Sequence, residues 1–261
     1  MPDSGQVLFE VRDRVGWITF NRPEARNAMT WAMYQRLREL CAEVSQDKSI
    51  RALVLAGAGG KAFVAGTDIS QFLEFKEERD VLDYEERINA ILNALETVPV
   101  PTVAAIQGAA VGGGAGIAAA CDLRIGSPSA KIGLPIARTL GNCLSMENYA
   151  RLASLIGLAR LKEMVFTSRL VEAQEALAMG LLNEVTPTEE GFLPRVQELA
   201  ALLASQAPLT LRATKEALRR IRRGMIPEES ADLVLMCYMS RDFKEGVQAF
   251  LEKRRPQWRG E

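Results

Sequence analysis

Gly108–Asp122 reads GAAVGGGAGIAAACD: five glycines in fifteen residues, and no charge before the last position. Glycine loses more backbone entropy on folding than any other residue, so three in succession need a physical reason. A Walker A phosphate loop is excluded, because Gly60-Lys61 is followed by Ala62 rather than Ser or Thr. The dinucleotide pattern G-x-G-x-x-[GA] occurs at Gly57–Ala62 and at Gly114–Ala119. The first match opens no suitable helix, and no acidic residue closes a following strand about 20 residues on. Close helix packing is a second reading of the glycines. A third uses the start of the helix GGAGIAAACDL behind the strand TVAAIQG. Its first N–H groups lack intrahelical acceptors and its dipole is positive there. A glycine and alanine surface lets a substrate carbonyl approach, so this end suits an oxygen that gains negative charge during reaction. The glycine turn AFVAGTDI, behind the apolar strand RALVLAG, is the natural source of a second donor.

Proton transfer must come from elsewhere. The chain has no histidine, which removes Ser-His-Asp and Cys-His catalysis and the H-E-x-x-H zinc site. Carboxylate, Tyr, Cys, Lys or water remain. Cys41, Cys121, Cys143 and Cys237 form no C-x-x-C pair, against a zinc site or disulfide framework and in keeping with a reducing cytoplasm. A net charge of −1 gives no bulk case for nucleic acid or an anionic membrane. The opening MPDSGQVLFEVRDRVG carries charge where a signal peptide needs an apolar core, so a cytoplasmic location is expected. Val98–Cys121 is uncharged, but its prolines, Gln107 and glycines favour a buried strand, turn and helix over a membrane span.

The elements that would position these residues follow from pattern. QVLFEVR and GWITFNRP alternate apolar and polar residues around Asp13–Gly16, a strand pair. Asn27–Ser45 has helical spacing at Met29, Met33, Leu37, Leu40 and Val44, with Thr30 as cap. IRALVLAG and VPVPTVAAIQG read as strands buried on both faces. A charged amphipathic helix spans 71–96, and CDLRIGSPSAKIGLP gives two short strands. Helices dominate from Asn148: ENYARLASLIG, LKEMVFTSR and VEAQEALAMG, then a short strand LLNEVTP, then helix from 191 to 261 with breaks near Pro208 and Pro227. The alternation predicts an α/β architecture with repeated crossover units.

NRPEARNAM, KAFVAGTDI and VPVPTVAAIQGAAVGGGAGIAAACDLRI, in this order, with the later EAQEALAMGLLNEV and FLEKRRP, resemble the crotonase superfamily, the enoyl-CoA hydratases and isomerases. The resemblance covers nearly the whole chain. It implies a spiral core of ββα units over 1–195, holding the acyl-CoA site, and a helical oligomerisation region over 196–261. It implies homotrimers or dimers of trimers. It implies an acyl-CoA thioester substrate, with coenzyme A as part of the substrate and no tightly bound cofactor. The thioester carbonyl would be held by the N–H groups of Thr67 and Gly113. Arg26, Ala28, Ala65, Asp68 and Ile69 would line the CoA arm, with Arg26 able to reach a phosphate. Phe250 and Lys253 match a C-terminal CoA contact, and Asp68 is also suited to cap the following turn.

Two positions depart from the pattern. The resemblance places a hydratase glutamate just after the glycine run and another in a G-x-P-E loop; this chain has Gly116 and Ile136 there. Isomerase or lyase-like chemistry is therefore favoured over hydration, with a non-catalytic acyl-CoA-binding protein as the alternative. The next segment, ARTLGNCLSMENYARL, offers Arg138, Cys143, Ser145 and one carboxylate, Glu147. Ser145 falls near where some members of the family keep an aspartate. Glu147 is the candidate base, and a helix-start glutamate favoured by the dipole is its plainer reading.

Overall fold

A computed structural model describes residues 5–224, 236 and 239–261. Strands β1 (Val7–Arg12) and β2 (Val15–Phe20) pair antiparallel from Val7 opposite Phe20 to Arg12 opposite Val15. Asp13 and Arg14 close the hairpin, both at positive φ (48° and 66°), the turn that matches the twist of paired strands. In α1 (Trp31–Gln46) Thr30 Oγ1 accepts the Met33 N–H at 3.2 Å, and Met33, Leu37, Leu40 and Val44 are buried.

The first sheet continues through β3 (Ala52–Gly57), which runs parallel to β2. Leu53 and Leu55 enter one apolar cluster; Ala52 and Val54 enter another beneath Phe192, Val196 and Ala200 of a later helix. Both faces of β3 are thus covered, which is why its sequence is apolar without alternation. The short strand β4 (Ala62–Val64) and helix α2 (Glu78–Glu96) complete one unit. Strands β5 (Thr102–Ile106) and β6 (Ala109–Val111) with α3 (Gly113–Ala120) repeat the plan. So do β7 (Leu123–Gly126) and β8 (Lys131–Gly133) with α4 (Ile136–Thr139) and α5 (Met146–Thr167). β9 (Leu170–Glu172), α6 (Ala173–Ala178) and β10 (Glu184–Val185) finish the sheets. The long strands form a six-stranded sheet, β1-β2-β3-β5-β7-β10, and the short ones a four-stranded sheet, β4-β6-β8-β9. Successive ββα units make an α/β spiral, followed by α7 (Phe192–Ala204), α8 (Pro208–Arg222) and α9 (Arg241–Leu251).

Several sequence expectations change. The helix expected from residue 71 starts at Glu78, after a 3-10 turn at Ile69–Glu74. The Asp80 carboxylate accepts the N–H groups of Lys76 and Glu77 (2.8 and 3.1 Å), ending the helix there. β6 and β9 were hidden in their surroundings, having three residues each. α5 joins two expected helices across Gly157, at φ 73°. Residues 255–261 are not helical, because the Asp242 carboxylate draws back the N–H groups of Arg259 and Gly260 (2.7 and 2.8 Å). Pro227 and Cys237 lie outside the described residues. Among those described, no helix is long and apolar enough to cross a membrane.

Candidate active site

The glycines of the run serve separate purposes. A Cβ on Gly114 would overlap the Val64 carbonyl oxygen, so α3 can settle on β4 only with glycine there. A Cβ on Gly113 would collide with Tyr34 Oη, and would stand 3.7 Å from the Thr67 nitrogen. A Cβ on Gly116 would meet only Leu92 Cδ1, at 3.4 Å. The packing reading thus holds at Gly114, and at Gly113 the Tyr34 hydroxyl leaves no room for a side chain.

The second turn leaves β4 at Val64 and bends at Gly66, where φ is 106°. Ala65 N–H donates to Arg26 O (3.1 Å), Met29 N–H to Gly66 O (2.8 Å) and Asp68 N–H to Met29 O (2.9 Å). This ladder pins residues 65–68 along 26–29 and leaves the Thr67 N–H on the opposite side. Neither Thr67 N–H nor Gly113 N–H, the first of α3, has an acceptor among the described residues. Both residues line one cavity of about 180 Å³.

Of the residues expected to carry the CoA arm, Ala65 and Ile69 line this cavity. Ala28 and Asp68 sit behind its edge: Arg22 Nη1 donates to Ala28 O (3.2 Å) and pairs with Asp68 Oδ2 (2.7 Å). Asp68 also accepts the Ser70 N–H and hydroxyl (3.2 and 2.7 Å), so it caps the 3-10 turn. Arg26 is exposed in a left-handed conformation, φ 52°. Lys253 is exposed beyond α9 and lines no part of the cavity; the Phe250 side chain lies outside the described residues.

Gly116 and Ile136, where glutamates were looked for, do line the cavity. Their neighbours Leu92, Leu134 and Leu152 are buried and apolar. Cys143 lines the exposed mouth, whereas burial pushes the Cys41 and Cys121 thiols up to about 12. Glu147 is not brought to the cavity. Its carboxylate accepts Asn93 Nδ2 (3.2 Å) and Arg223 Nη2 (2.9 Å) on the outer side of the α2–α5 seam. Ser145 caps α5 and donates to Asn89 Oδ1 at 2.7 Å.

Sequence reading missed three side chains. Tyr34, fully buried on α1, shares a hydrogen bond of 2.9 Å with Thr67 Oγ1. Burial pushes its hydroxyl, and that of Tyr84, above the usual tyrosine range, and the Thr67 hydroxyl acts against that rise. Glu85, beside Tyr84 on α2, is the one carboxylate lining the cavity among the described residues, and burial raises its pKa. Its signal was available: Glu85, Ile88 and Leu92 stand at i, i+3 and i+7, one face of a helix. Asn27 was also missed as the knot of its loop: its amide donates to Ala58 O and Ala62 O (3.0 and 2.8 Å), and its Oδ1 accepts Arg22 N–H (2.9 Å).

The profile of the enoyl-CoA hydratase/isomerase family matches residues 10–261. The chain belongs to that family. It is 34% identical to the short-chain-enoyl-CoA hydratase of Clostridium acetobutylicum, over 95% of each chain. It is 33% identical to the crotonyl-CoA hydratase of Syntrophomonas wolfei, over 95% of this chain and 96% of that one. Among solved structures, an enoyl-CoA hydratase/carnithine racemase from Magnetospirillum magneticum superposes with a TM-score of 0.92 at 30% identity, covering 98% of this chain and 96% of that one. The crotonase fold expected from the motifs is thereby shown.

Proposed function

We propose that this family member holds the carbonyl of a short acyl-CoA thioester on the N–H groups of Thr67 and Gly113 and stabilises the enolate formed from it. The carrying observation is the pair of acceptor-free donors facing one cavity from two different turns. A thioester gains negative charge on one oxygen as the enolate forms, so fixed donors stabilise the transition state more than the ground state. The cavity, about 180 Å³, lies below the usual size of small-molecule pockets, which suits a short acyl group. Proton transfer without added water, an isomerase or lyase-like reaction, fits better than hydration, because Gly116 and Ile136 cannot hold or activate a water. Arg26, Ala28, Ala65, Asp68 and Ile69 belong to the proposal as contacts of the CoA arm, and the place of Ala65 and Ile69 on the cavity wall supports it. Lys253, and the region 196–261 as a homotrimer or dimer-of-trimers contact, belong to the same proposal, as does a cytoplasmic enzyme without a tightly bound cofactor.

The test is exchange of the α-hydrogens of saturated, 2-enoyl and 3-enoyl CoA thioesters in D2O, read by mass spectrometry. Gly113→Pro deletes one donor but crowds Tyr34 Oη, so it is made in a Tyr34→Phe background. Gly113→Ala in that background keeps the N–H. The Pro variant should exchange about 100- to 1000-fold more slowly than the Ala variant, the loss usual for one oxyanion donor. Equal rates would remove Gly113 from the site. Thioester binding without exchange by the unaltered protein would favour a non-catalytic acyl-CoA binder.

A further inference from the structure

The donors account for where charge collects, and leave open which group moves the proton. The titratable side chains on the cavity wall are Tyr34 from α1, Tyr84 and Glu85 from α2, and Cys143 from the loop before α5. No lysine, arginine or other carboxylate joins them among the described residues. Tyr34 is engaged with Thr67, and both phenols are held protonated by burial. Cys143 stands at the exposed mouth. Glu85 makes no ion pair or hydrogen bond with any described residue.

Placement supports the same choice. Leu92 faces the space beside Gly116. Glu85 lies two turns earlier on the same stripe, about 10 Å along the axis at 1.5 Å per residue. That offset carries it away from the apolar end at Leu92, toward Tyr84 and the Thr67 hydroxyl that Tyr84 faces.

We infer that Glu85 is the catalytic carboxylate of this site, a single base carrying one proton between two carbons of a short enoyl-CoA thioester. The inference rests on the proposed function above. With a 3-enoyl substrate, the Glu85 carboxylate takes a proton from the α-carbon. The C–H electron pair becomes a dienolate, with its charge on the thioester oxygen between the Thr67 and Gly113 N–H groups. The Glu85 carboxylic acid then returns a proton to the γ-carbon and the double bond moves to the 2-position. Nothing is consumed and the carboxylate is regenerated. Burial makes Glu85 a stronger base than an exposed carboxylate, because it disfavours the charged form. The base form prevails above that raised value. The rate should therefore climb with pH through a midpoint above the usual carboxylate range. The neighbouring phenols stay neutral across this range and do not offset it.

The experiment follows isomerisation and deuterium exchange of a 3-enoyl-CoA in D2O, with thioester affinity measured separately by calorimetry. Glu85→Gln should lose about 100-fold or more in both rates, the usual worth of a positioned base, while the dissociation constant stays within threefold and the thermal midpoint is unchanged. Glu85→Asp should recover part of the rate with a displaced pH midpoint. Glu147→Gln should stay within threefold of the unaltered protein. Glu85→Gln keeping its rate and pH profile would overturn the assignment of Glu85 and leave the donor pair standing. An unaltered protein that binds but neither exchanges nor isomerises any thioester would overturn both.

Discussion

The two walls of the cavity are held by different physics. The donor wall, where β4 and β6 turn toward α3, is built by backbone approach: Gly114 against the Val64 carbonyl, Met29 bridged to Gly66 and Asp68, Gly113 against Tyr34. The opposite wall presents Ile88 and Leu92 of α2 and Leu152 of α5 to the cavity, and the α2–α5 seam behind it is tied by polar side chains. Asn89 Oδ1 accepts Ser145 Oγ and Asn148 Nδ2 (2.7 and 3.3 Å). Arg151, 2% exposed, donates to Asn148 and Asn93 (2.5 and 3.1 Å) and pairs with Glu96 at 3.2 Å. Glu96 also takes Arg222 from α8. A backbone wall fixes two N–H groups mainly through main-chain contacts, whereas a side-chain wall fails when one partner is lost.

The largest expected stability effect lies in the seam. Arg151→Met strands Glu96, whose side chain is 14% exposed, beside Arg222 alone. Glu96→Gln does worse, leaving the buried Arg151 guanidinium with only the more distant Glu147 Oε1, 4.0 Å away, as counter-charge. Removing one partner of a buried pair costs about 3–5 kcal/mol, so Glu96→Gln should lower the thermal midpoint by about 10 °C. A drop under about 2 °C would show that the seam is held by its apolar contacts instead.

Next comes the donor wall. Gly114→Ala drives a methyl into the Val64 carbonyl, which cannot swing aside as a side chain can. Overpacking of this kind costs about 1–3 kcal/mol. Gly116→Ala, two residues on, meets only the end of Leu92. It also gains from replacing a helical glycine, by about 0.5–1 kcal/mol. Urea unfolding of the two variants should give opposite signs. The same sign would mean that α3 does not depend on its contact with β4.

These contrasts follow what was legible in the sequence. The hairpin, the doubly buried strands and the start of α3 at the glycine run were readable because each is set within ten or so neighbouring residues. The run also announced a close approach of backbone, since a Cβ at Gly113 or Gly114 would strike Tyr34 Oη or the Val64 carbonyl. The seam was not legible, because its bonds join positions far apart, such as Asn89 and Ser145, 56 residues away. Glu147 was read as a base from its solitude in one segment, and Arg223, 76 positions on, supplies the partner that holds it outside. Glu85 stood in plain view on an amphipathic stripe, where a charge reads as solvated until the opposing helix is known.

The smallest effect sharpens the comparison, for the donor wall has one ionic element at its rim. Hydrogen bonds from Ser70, and then the Arg22 guanidinium, hold the Asp68 carboxyl below the usual carboxylate range. A carboxyl depressed in the folded state contributes stability that is complete above its unfolded value, about 3.9. That contribution is lost as pH falls through the lower folded value. Asp68→Asn keeps the capping oxygen and removes the charge. The difference in unfolding free energy from the unaltered protein should therefore be present at pH 7 and vanish toward pH 3. With the Asp68 side chain partly exposed at the rim, screening keeps it to about 0.5 kcal/mol. The resulting shift of the thermal midpoint is about 1–2 °C at pH 7. Added salt at 0.5 M should shrink it further, which the backbone contacts of the same wall will not do. A difference that persists unchanged at pH 3 would assign the effect to the geometry of the cap and leave the donor wall without an electrostatic component.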